Sequence, residues 1–178
     1  MTSFFGPICQ LGYVVADLDR AIDYLLKSMG CGPIFVAKHV APVDFFYRGN
    51  ASRPELSVAY TQSGPLQIEI IMQKNAAPSS WRDFLAEGPE GLQHVAYWTD
   101  RYDELLKVAI ETAGLEPEMT GTAGHHGASG ERFTYFADSG PRGMMVELTE
   151  VLAPKRASYK RIADAARDWD GSDPVRDL

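Results

Sequence analysis

Four polar residues, two in each half of the chain, form a set that could hold a metal ion. Gln10 and His94 each stand in the first apolar strand of a half, and Glu69 and Glu147 each stand in the last. The two spacings are similar, at 59 residues (10 to 69) and 53 residues (94 to 147). One imidazole, one amide and two carboxylates suit Zn²⁺ first, with Ni, Co, Mn or Fe as alternatives.

Each of these polar residues interrupts a run of apolar residues. Because side chains alternate across a strand, Glu69 faces away from Ile68 and Ile70, and Glu147 faces away from its own apolar neighbours. A carboxylate buried alone is costly, so each glutamate needs a partner. A single histidine or glutamate in a strand is more often an ordinary core or surface residue, whereas four at equivalent places predict one shared divalent metal ion.

The segments that carry these residues form an internal sequence repeat. Residues 10–30, QLGYVVADLDRAIDYLLKSMG, align without a gap on residues 94–114, HVAYWTDRYDELLKVAIETAG. Tyr13 falls on Tyr97, and a glycine ends each segment. Such self-similarity predicts two copies of one supersecondary unit that pack together.

Each copy reads as a strand, a helix and further strands. In the first, Asp17 is the expected helix N-cap and Gly30 the helix end, and the strands PIFVAKHV, ELSVAYTQ and LQIEIIMQ follow. In the second, Asp100 is the expected N-cap and Gly114 the helix end. A glycine-rich loop, GTAGHHGASGE, then precedes the strands RFTYFAD and MMVELTEV.

The predicted boundaries follow from these units. Residues 1–75 form the first βαβββ module, 76–91 a connector with a short helix, and 92–151 the second module. Residues 152–178 form a C-terminal extension with an amphipathic segment and a polar end that is either loose or docked. The two modules make one domain at 8–151.

Composition limits the classes of function. The net charge of -7 and the lack of a basic stripe argue against nucleic acid. No apolar run is long enough to cross a membrane, and the start of the chain lacks the features of a secretory signal. Cys9 and Cys31 do not make a disulfide framework, so we expect a cytoplasmic protein.

Four motifs resemble the vicinal oxygen chelate superfamily, also called the glyoxalase/bleomycin resistance/dioxygenase group. They are QLGYVVADLDRAIDYLLKSMGCGP, QIEII, GLQHVAYWTDRYDELL and FTYFADSGPRGMMVELTEV. The resemblance implies an α+β fold of two tandem βαβββ modules whose mixed sheets curl into a cup around a metal site. It places the metal ligands on Gln10, Glu69, His94 and Glu147.

The order Gln, Glu, His, Glu is similar to the zinc-type glyoxalase I set. Methylmalonyl-CoA epimerase, a relative, has His in place of Gln10 and Gln in place of Glu69. Extradiol dioxygenases need a second histidine, which is missing here. Glyoxalase I also has arginines that hold the glutathione carboxylate, where this chain has Val14 and Glu90. The resemblance therefore implies a glyoxalase-type site whose substrate is not glutathione.

The chemistry expected of this site is the movement of a proton next to a carbonyl. A divalent metal polarises the carbonyl oxygen and so acidifies the neighbouring C–H bond. A glutamate at the metal can then act as general base and acid. We expect Glu147 in that role first and Glu69 second, as the resemblance also implies, while Gln10 only ligates.

Contacts to the substrate are expected from residues around the cup. Met145 lies two residues before Glu147 and so shares its face, and Tyr135 could line the same wall. Phe46 belongs to an aromatic cluster that is either substrate-binding or part of a core or dimer surface. His125 and His126, in the glycine-rich loop, either cover the site or face solvent.

The function predicted from the sequence is a metal-dependent lyase, isomerase or epimerase that acts on a small molecule. One alternative is a non-catalytic protein that binds small molecules such as drugs. The other is an iron-dependent extradiol dioxygenase, against which the ligand set argues. The expected assembly is a homodimer.

Overall fold

We describe the protein from a computed structural model, which covers residues 4–123, 131–137 and 140–178. The strands in these ranges are β1 (Gln10–Val14), β2 (Ile34–Val40), β3 (Val43–Tyr47), β4 (Asn50–Ala51), β5 (Leu56–Ser63), β6 (Leu66–Gln73), β7 (Gly91–Thr99), β8 (Pro117–Ala123), β9 (Glu131–Phe136), β10 (Met145–Glu150) and β11 (Val175–Asp177). The helices are α1 (Leu18–Lys27), α2 (Ser80–Glu87), α3 (Tyr102–Glu111) and α4 (Ala153–Arg167).

The strands form one curved, unclosed sheet in the order β11-β2-β5-β6-β1-β7-β10-β9-β8-β3-β4. The first module contributes β2-β5-β6-β1 and the second contributes β7-β10-β9-β8. The modules meet where β1 runs antiparallel to β7, and each of these strands pairs in parallel with the last strand of its own module. The predicted α+β class, with two related modules in a mixed and curved sheet, is confirmed.

One hairpin, β3–β4, was not predicted. It leaves the first module and pairs with β8 at the far edge of the second, with Val43 opposite Thr122 and Phe46 opposite Thr120. The connection ties the outer edges of the two modules together, so the concave side of the sheet becomes a deep cup.

The last three residues of β8, 121–123, belong to the stretch that was predicted to be a glycine-rich loop. Gly121 belongs to the strand because two aromatic rings lie where its side chain would be. A Cβ atom there would stand 2.7 Å from Phe133 Cζ and 3.1 Å from Phe45 Cδ2. The glycine therefore marks close packing against rings and not a turn.

The ends of the two equivalent helices repeat the same hydrogen bonds. Cys31 N donates to Leu25 O, and at the same place in the second module Leu115 N donates to Ala109 O, both at 2.9 Å. Asp17 caps α1 as predicted, by accepting from Arg20 N at 3.0 Å.

The predicted N-cap of the second helix, Asp100, is wrong. Arg101 occupies the cap position of α3 and makes no side-chain capping hydrogen bond. Its backbone N–H instead donates to Thr99 Oγ1 at 2.8 Å. The hydroxyl of Thr99, two residues before the cap position, is therefore the side-chain acceptor at this helix start, and the carboxylate of Asp100 is not.

Side chains that alternate along each strand point either to the convex face, which the helices cover, or to the concave face, which forms the cup. Ile68 and Ile70 pack under α1 on the convex face, and Leu148 packs under α3. Glu69 and Glu147 alternate with these residues and so point to the concave side. The burial of apolar neighbours under the two helices therefore fixes which way the carboxylates face.

The C-terminal extension is docked. On the concave side, α4 buries Ile162 completely, and the ring of Tyr159 lies 5.8 Å from the ring of Tyr60 and 4.7 Å from the ring of Trp98. Tyr60 belongs to the first module and Trp98 to the second, so α4 bridges both. After α4, β11 adds to the sheet in parallel with β2.

The described helices include none that is both apolar enough and long enough to span a lipid bilayer.

Removing the buried side chain that anchors α4 should destabilise the whole domain. We expect Ile162→Ala to lower the free energy of unfolding by about 2–5 kcal/mol, as is usual for an aliphatic side chain truncated in a core. Lys160→Ala is the matched control, because Lys160 lies on the same helix with its side chain 72% exposed. Urea unfolding followed by circular dichroism measures both. Equal, small effects of the two substitutions would contradict the docking of α4.

Candidate metal centre

Two rows of residues cross the centre of the sheet and are related by the internal repeat. One row runs Tyr60, Glu69, Gly12, His94 on neighbouring strands. The other runs Tyr135, Glu147, Ala96, Gln10. In each row a glycine or alanine separates the glutamate from the histidine or glutamine. The small residue leaves room above the sheet, so the longer side chains on both sides can lean over it.

Three of the four predicted ligands come together at the floor of the cup. Potential ligand atoms of Glu69, His94 and Glu147 all lie within 4.8 Å of one another. His94 Nε2 is 3.2 Å from Glu147 Oε2 and 3.4 Å from Glu69 Oε2. All three residues are buried, and His94 has no exposed surface.

The fourth predicted ligand, Gln10, is buried at the same cavity. It lines the cup with Glu69 and Glu147. Its amide nitrogen donates to Gln67 Oε1 at 2.7 Å. The amide oxygen of Gln10 is therefore the atom available for a metal.

Gln93 orients the imidazole, a role that sequence reasoning missed. Gln93 Oε1 lies 2.7 Å from His94 Nδ1, so an N–H at Nδ1 donates to it. That hydrogen bond turns Nε2 toward the two carboxylates and leaves it as the ligating nitrogen. The only signal in the sequence was a second polar residue in an apolar strand.

Hydroxyl groups surround the two carboxylates. Thr149 donates to Glu147 Oε1. Tyr60 interacts with Glu69, and Tyr135 interacts with Glu147. Burial, reinforced by these carboxylates, holds the pKa of both tyrosines well above the usual value, so their hydroxyls stay protonated and can donate.

A proton on His94 offsets part of the negative charge at the centre. Burial by itself would lower the pKa of His94, but the carboxylates of Glu147 and Glu69 outweigh it and raise that pKa to about 9. Burial opposes ionisation of Glu147 in the same way, yet His94, Thr149 and Lys155 lower its pKa overall. Without a metal, the centre therefore holds a protonated His94 beside an ionised Glu147 at neutral pH.

The donor set fits a divalent metal. Glu147 Oε2 is buried and faces His94 without hydrogen-bond geometry, and it has no hydrogen-bond partner among the described residues. A metal ion shared by Gln10, Glu69, His94 and Glu147 would satisfy that oxygen. Two carboxylates would neutralise a dication, and one nitrogen with three oxygens is compatible with Zn²⁺ and with other first-row metals.

The cup above the centre is a cavity of about 670 Å³. Tyr135, predicted to contact substrate, lines it. Met145 does not: it is 7% exposed and packs in the core, 3.4 Å from Gln93 Nε2. Met145 pairs with His94 across the sheet, and its sulfur accepts from Gln93, the residue that orients the histidine.

Phe46 was also predicted to contact substrate, and the structure places it elsewhere. Phe46 is 45% exposed, whereas Phe45 is 3% exposed and packs against Trp81 with ring centroids 5.7 Å apart. The register of β3 decides which of the two adjacent rings faces inward. His125 and His126 lie outside the described residues.

Comparison with known proteins identifies the family. Residues 9–135 match the family model of the Glyoxalase/Bleomycin resistance protein/Dioxygenase superfamily. A methylmalonyl-CoA epimerase from Mycobacterium tuberculosis is 19% identical, with a TM-score of 0.56 over 88% of this chain and 95% of its own. A hypothetical protein from Bacillus halodurans is 17% identical, with a TM-score of 0.55 over 83% and 95%. No curated protein matches.

Adding one methyl group at Gly12 should disturb the centre, because a Cβ there would lie 1.8 Å from His94 Cε1. We expect Gly12→Ala to weaken Zn²⁺ binding about 10- to 100-fold, as is usual when a ligand loses its orientation. Isothermal titration calorimetry measures the affinity. The stability cost of Gly12→Ala should largely vanish in a His94→Ala background, where no ring is displaced. An equal loss of stability from Gly12→Ala with and without His94 would show that the added methyl group does not displace the His94 ring.

Metal affinity should depend on pH through His94. The metal needs the neutral imidazole, so it must displace the proton held with a pKa of about 9. We expect apparent Zn²⁺ affinity to rise about tenfold per pH unit between pH 6.5 and 8.5. His94→Gln should flatten that slope, and an unchanged slope would count against the assignment.

The same proton makes the stability of the metal-free protein depend on pH. The folded pKa lies above the unfolded value of about 6.5, so the stabilisation is complete below that pH and is lost as pH rises through about 9.

Proposed function

The chain belongs to the Glyoxalase/Bleomycin resistance protein/Dioxygenase superfamily, and we propose that it is a metal-dependent lyase, isomerase or epimerase. In this proposal it moves a proton at the carbon next to a carbonyl group of a small-molecule substrate. The observation that carries the proposal is the pair of buried carboxylates, Glu69 and Glu147, that reach His94 from opposite modules.

Gln10, Glu69, His94 and Glu147 would hold the metal. Bound there, it would supply Lewis-acid polarisation of the substrate's carbonyl oxygen, which acidifies the adjacent C–H bond. The carboxylates come from different strands of different modules, and in this proposal both reach the substrate carbon from the floor of the cup. One of such a pair can take a proton and the other can return one, as isomerisation and epimerisation require.

Glu147 is proposed as the first proton acceptor. It is ionised, since neighbouring His94, Thr149 and Lys155 lower its pKa despite burial. Glu69 would return or accept the second proton. Tyr60 and Tyr135 would steady the two carboxylates during both transfers.

The substrate is proposed not to be glutathione-linked. The positions at which glyoxalase I has arginines are occupied by Val14, which is fully buried, and by Glu90. Glu90 accepts a hydrogen bond from Ala16 N at 3.1 Å and pairs with Arg20. Neither position offers a cation to a peptide carboxylate.

The first substrates to test are acyl thioesters. The structural likeness to a methylmalonyl-CoA epimerase, at 19% identity, supports the fold alone. It nevertheless makes 2-acyl-CoA esters a reasonable first panel, with hemithioacetals as the second. A homodimer and a cytoplasmic location stay predictions of the sequence.

The proposal predicts metal-dependent exchange of the substrate's α-proton in deuterated water. Wild-type protein loaded with Zn²⁺, Ni²⁺, Co²⁺ or Mn²⁺ should exchange that proton in at least one compound of the panel, as followed by NMR. Glu147→Gln should lower the rate about 10²- to 10⁴-fold, the usual loss for a general base. Glu69→Gln should be impaired as well, because both carboxylates are needed.

Glu150→Gln is the matched control. Glu150 lies on the same strand as Glu147 and is also buried, but it pairs with Arg132 at 2.9 Å, away from His94. It should lose stability yet keep the metal and the exchange rate. Absence of exchange with every metal and compound would overturn the proposal. Ligand binding unaffected by chelation would favour a binding protein, and iron-dependent oxygen uptake with catechols would favour a dioxygenase.

A further inference from the structure

A lysine from the C-terminal helix borders the cavity and pairs with no carboxylate among the described residues. Lys155 stands in the first turn of α4 and lines the cup together with Glu69 and Glu147. Its ammonium group makes no hydrogen bond or ion pair with any residue in the described ranges. The Lys155 Nζ atom lies over the face of the Tyr159 ring, 5.7 Å from the ring centroid.

Four glutamates act electrostatically on Lys155, and none of them pairs with it among the described residues. They are Glu69, Glu131, Glu147 and Glu150. Two of them face His94. Glu150 pairs with Arg132, and Glu131 Oε1 accepts from Leu152 N at 2.9 Å. The carboxylates attract Lys155 at a distance, yet none of them receives its protons.

The start of α4 also borders the cavity, and its Leu152 N–H is bonded to the carboxylate of Glu131. Leu152 occupies the N-cap and makes no side-chain capping hydrogen bond, and the first turn of this 15-residue helix borders the cavity. The N-terminal end of a helix favours an anion. Arg161 also lines the cavity, with its guanidinium 5.3 Å from the centroid of the Phe35 ring.

A bound dication would change the balance of charge in the cup. Glu69 and Glu147 would be neutralised by it, since their two negative charges match its two positive ones. The positive charge of Lys155 would then be opposed by Glu131, which lines the same cavity, and by Glu150. Other walls of the cavity include Val58, Ile71 and Phe133. Because no described carboxylate pairs with Lys155, its ammonium group keeps hydrogen-bond donors free for an anionic group inside the cavity.

We propose that Lys155 binds an anionic group of the substrate, and that the substrate is a small organic carboxylate with an apolar body. The inference rests on the proposed function, because it places the substrate's carbonyl at the metal and its carboxylate at Lys155. It assigns substrate selection to α4, which lies outside the residues 9–135 that match the family model. Members of the superfamily without this helix would lack the contact.

Hydroxamates that chelate metals test the proposal without a known substrate. The probes are the monohydroxamates of malonic, succinic and glutaric acid, each compared with its methyl ester. Calorimetry with the Zn²⁺-loaded full chain should show that wild type prefers the carboxylate over the ester by about 10- to 100-fold at the best chain length, the usual effect of a hydrogen bond to a charged group. Lys155→Met should lose this preference while binding the ester as before.

Two further variants separate charge from structure. Lys155→Arg should keep most of the preference because it retains the positive charge. Lys160→Met should keep all of it, since Lys160 lies on the same helix with its side chain 72% exposed. Lys155→Gln serves as the second variant if Lys155→Met does not fold.

The outcomes distinguish the two levels of inference. If wild type binds Zn²⁺ and the esters but does not prefer the carboxylates, the role of Lys155 is wrong and the metal centre stands. The same holds if Lys155→Met keeps the preference. If wild type binds neither Zn²⁺ nor any hydroxamate, the proposed function fails, and the inference fails with it.

Discussion

The structure depends on how two buried carboxylates are compensated. Glu69 and Glu147 both lie at the floor of the cup, and each is within 3.4 Å of the same imidazole nitrogen. Two like charges in a poorly solvated site repel each other, so a positive charge must stand between them. A proton on His94 supplies one positive charge, and a divalent metal would supply two. The centre is therefore fully neutralised by a metal and only partly neutralised by a proton.

The internal repeat is what brings these charges together. Each module alone carries one carboxylate and one histidine or glutamine, on strands at opposite ends of its own chain segment. Antiparallel pairing of β1 with β7 puts Gly12 opposite His94 and Ala96 opposite Gln10. The two small residues let both rows of side chains lean toward one point. Larger residues at these positions would push the ligands apart, so the small residues are part of the centre although they contribute no ligand.

The C-terminal helix packs over the cup and supplies part of the wall of its cavity. Tyr159 packs on rings from both modules, and Ile162 is completely buried, so α4 holds a fixed position. Lys155 then faces the carboxylates without pairing to them. The two parts of the proposed site differ in origin: the metal ligands come from the repeated modules, and the cation comes from the added helix. A common centre could in this way serve different substrates in different proteins.

Much of the architecture could be predicted from local patterns. The gapless repeat and the polar residues inside apolar strands pointed to two modules and to Gln10, Glu69, His94 and Glu147, and the structure gathers Glu69, His94 and Glu147 at one point with Gln10 beside the same cavity. These features can be read from the sequence because strand alternation and helix ends depend on residues that are close together in the chain.

The wrong predictions and the residues that were missed share one physical cause. Whether Phe45 or Phe46 faces inward, whether Gly121 bends the chain or receives two rings, and whether Lys155 reaches the cup all depend on segments far away in the chain. The sequence by itself determined the repeated units and the faces of their strands, since these follow from periodicity. Only the tertiary structure decided which side chains meet across modules, because pairing register and helix docking are set by packing among distant residues.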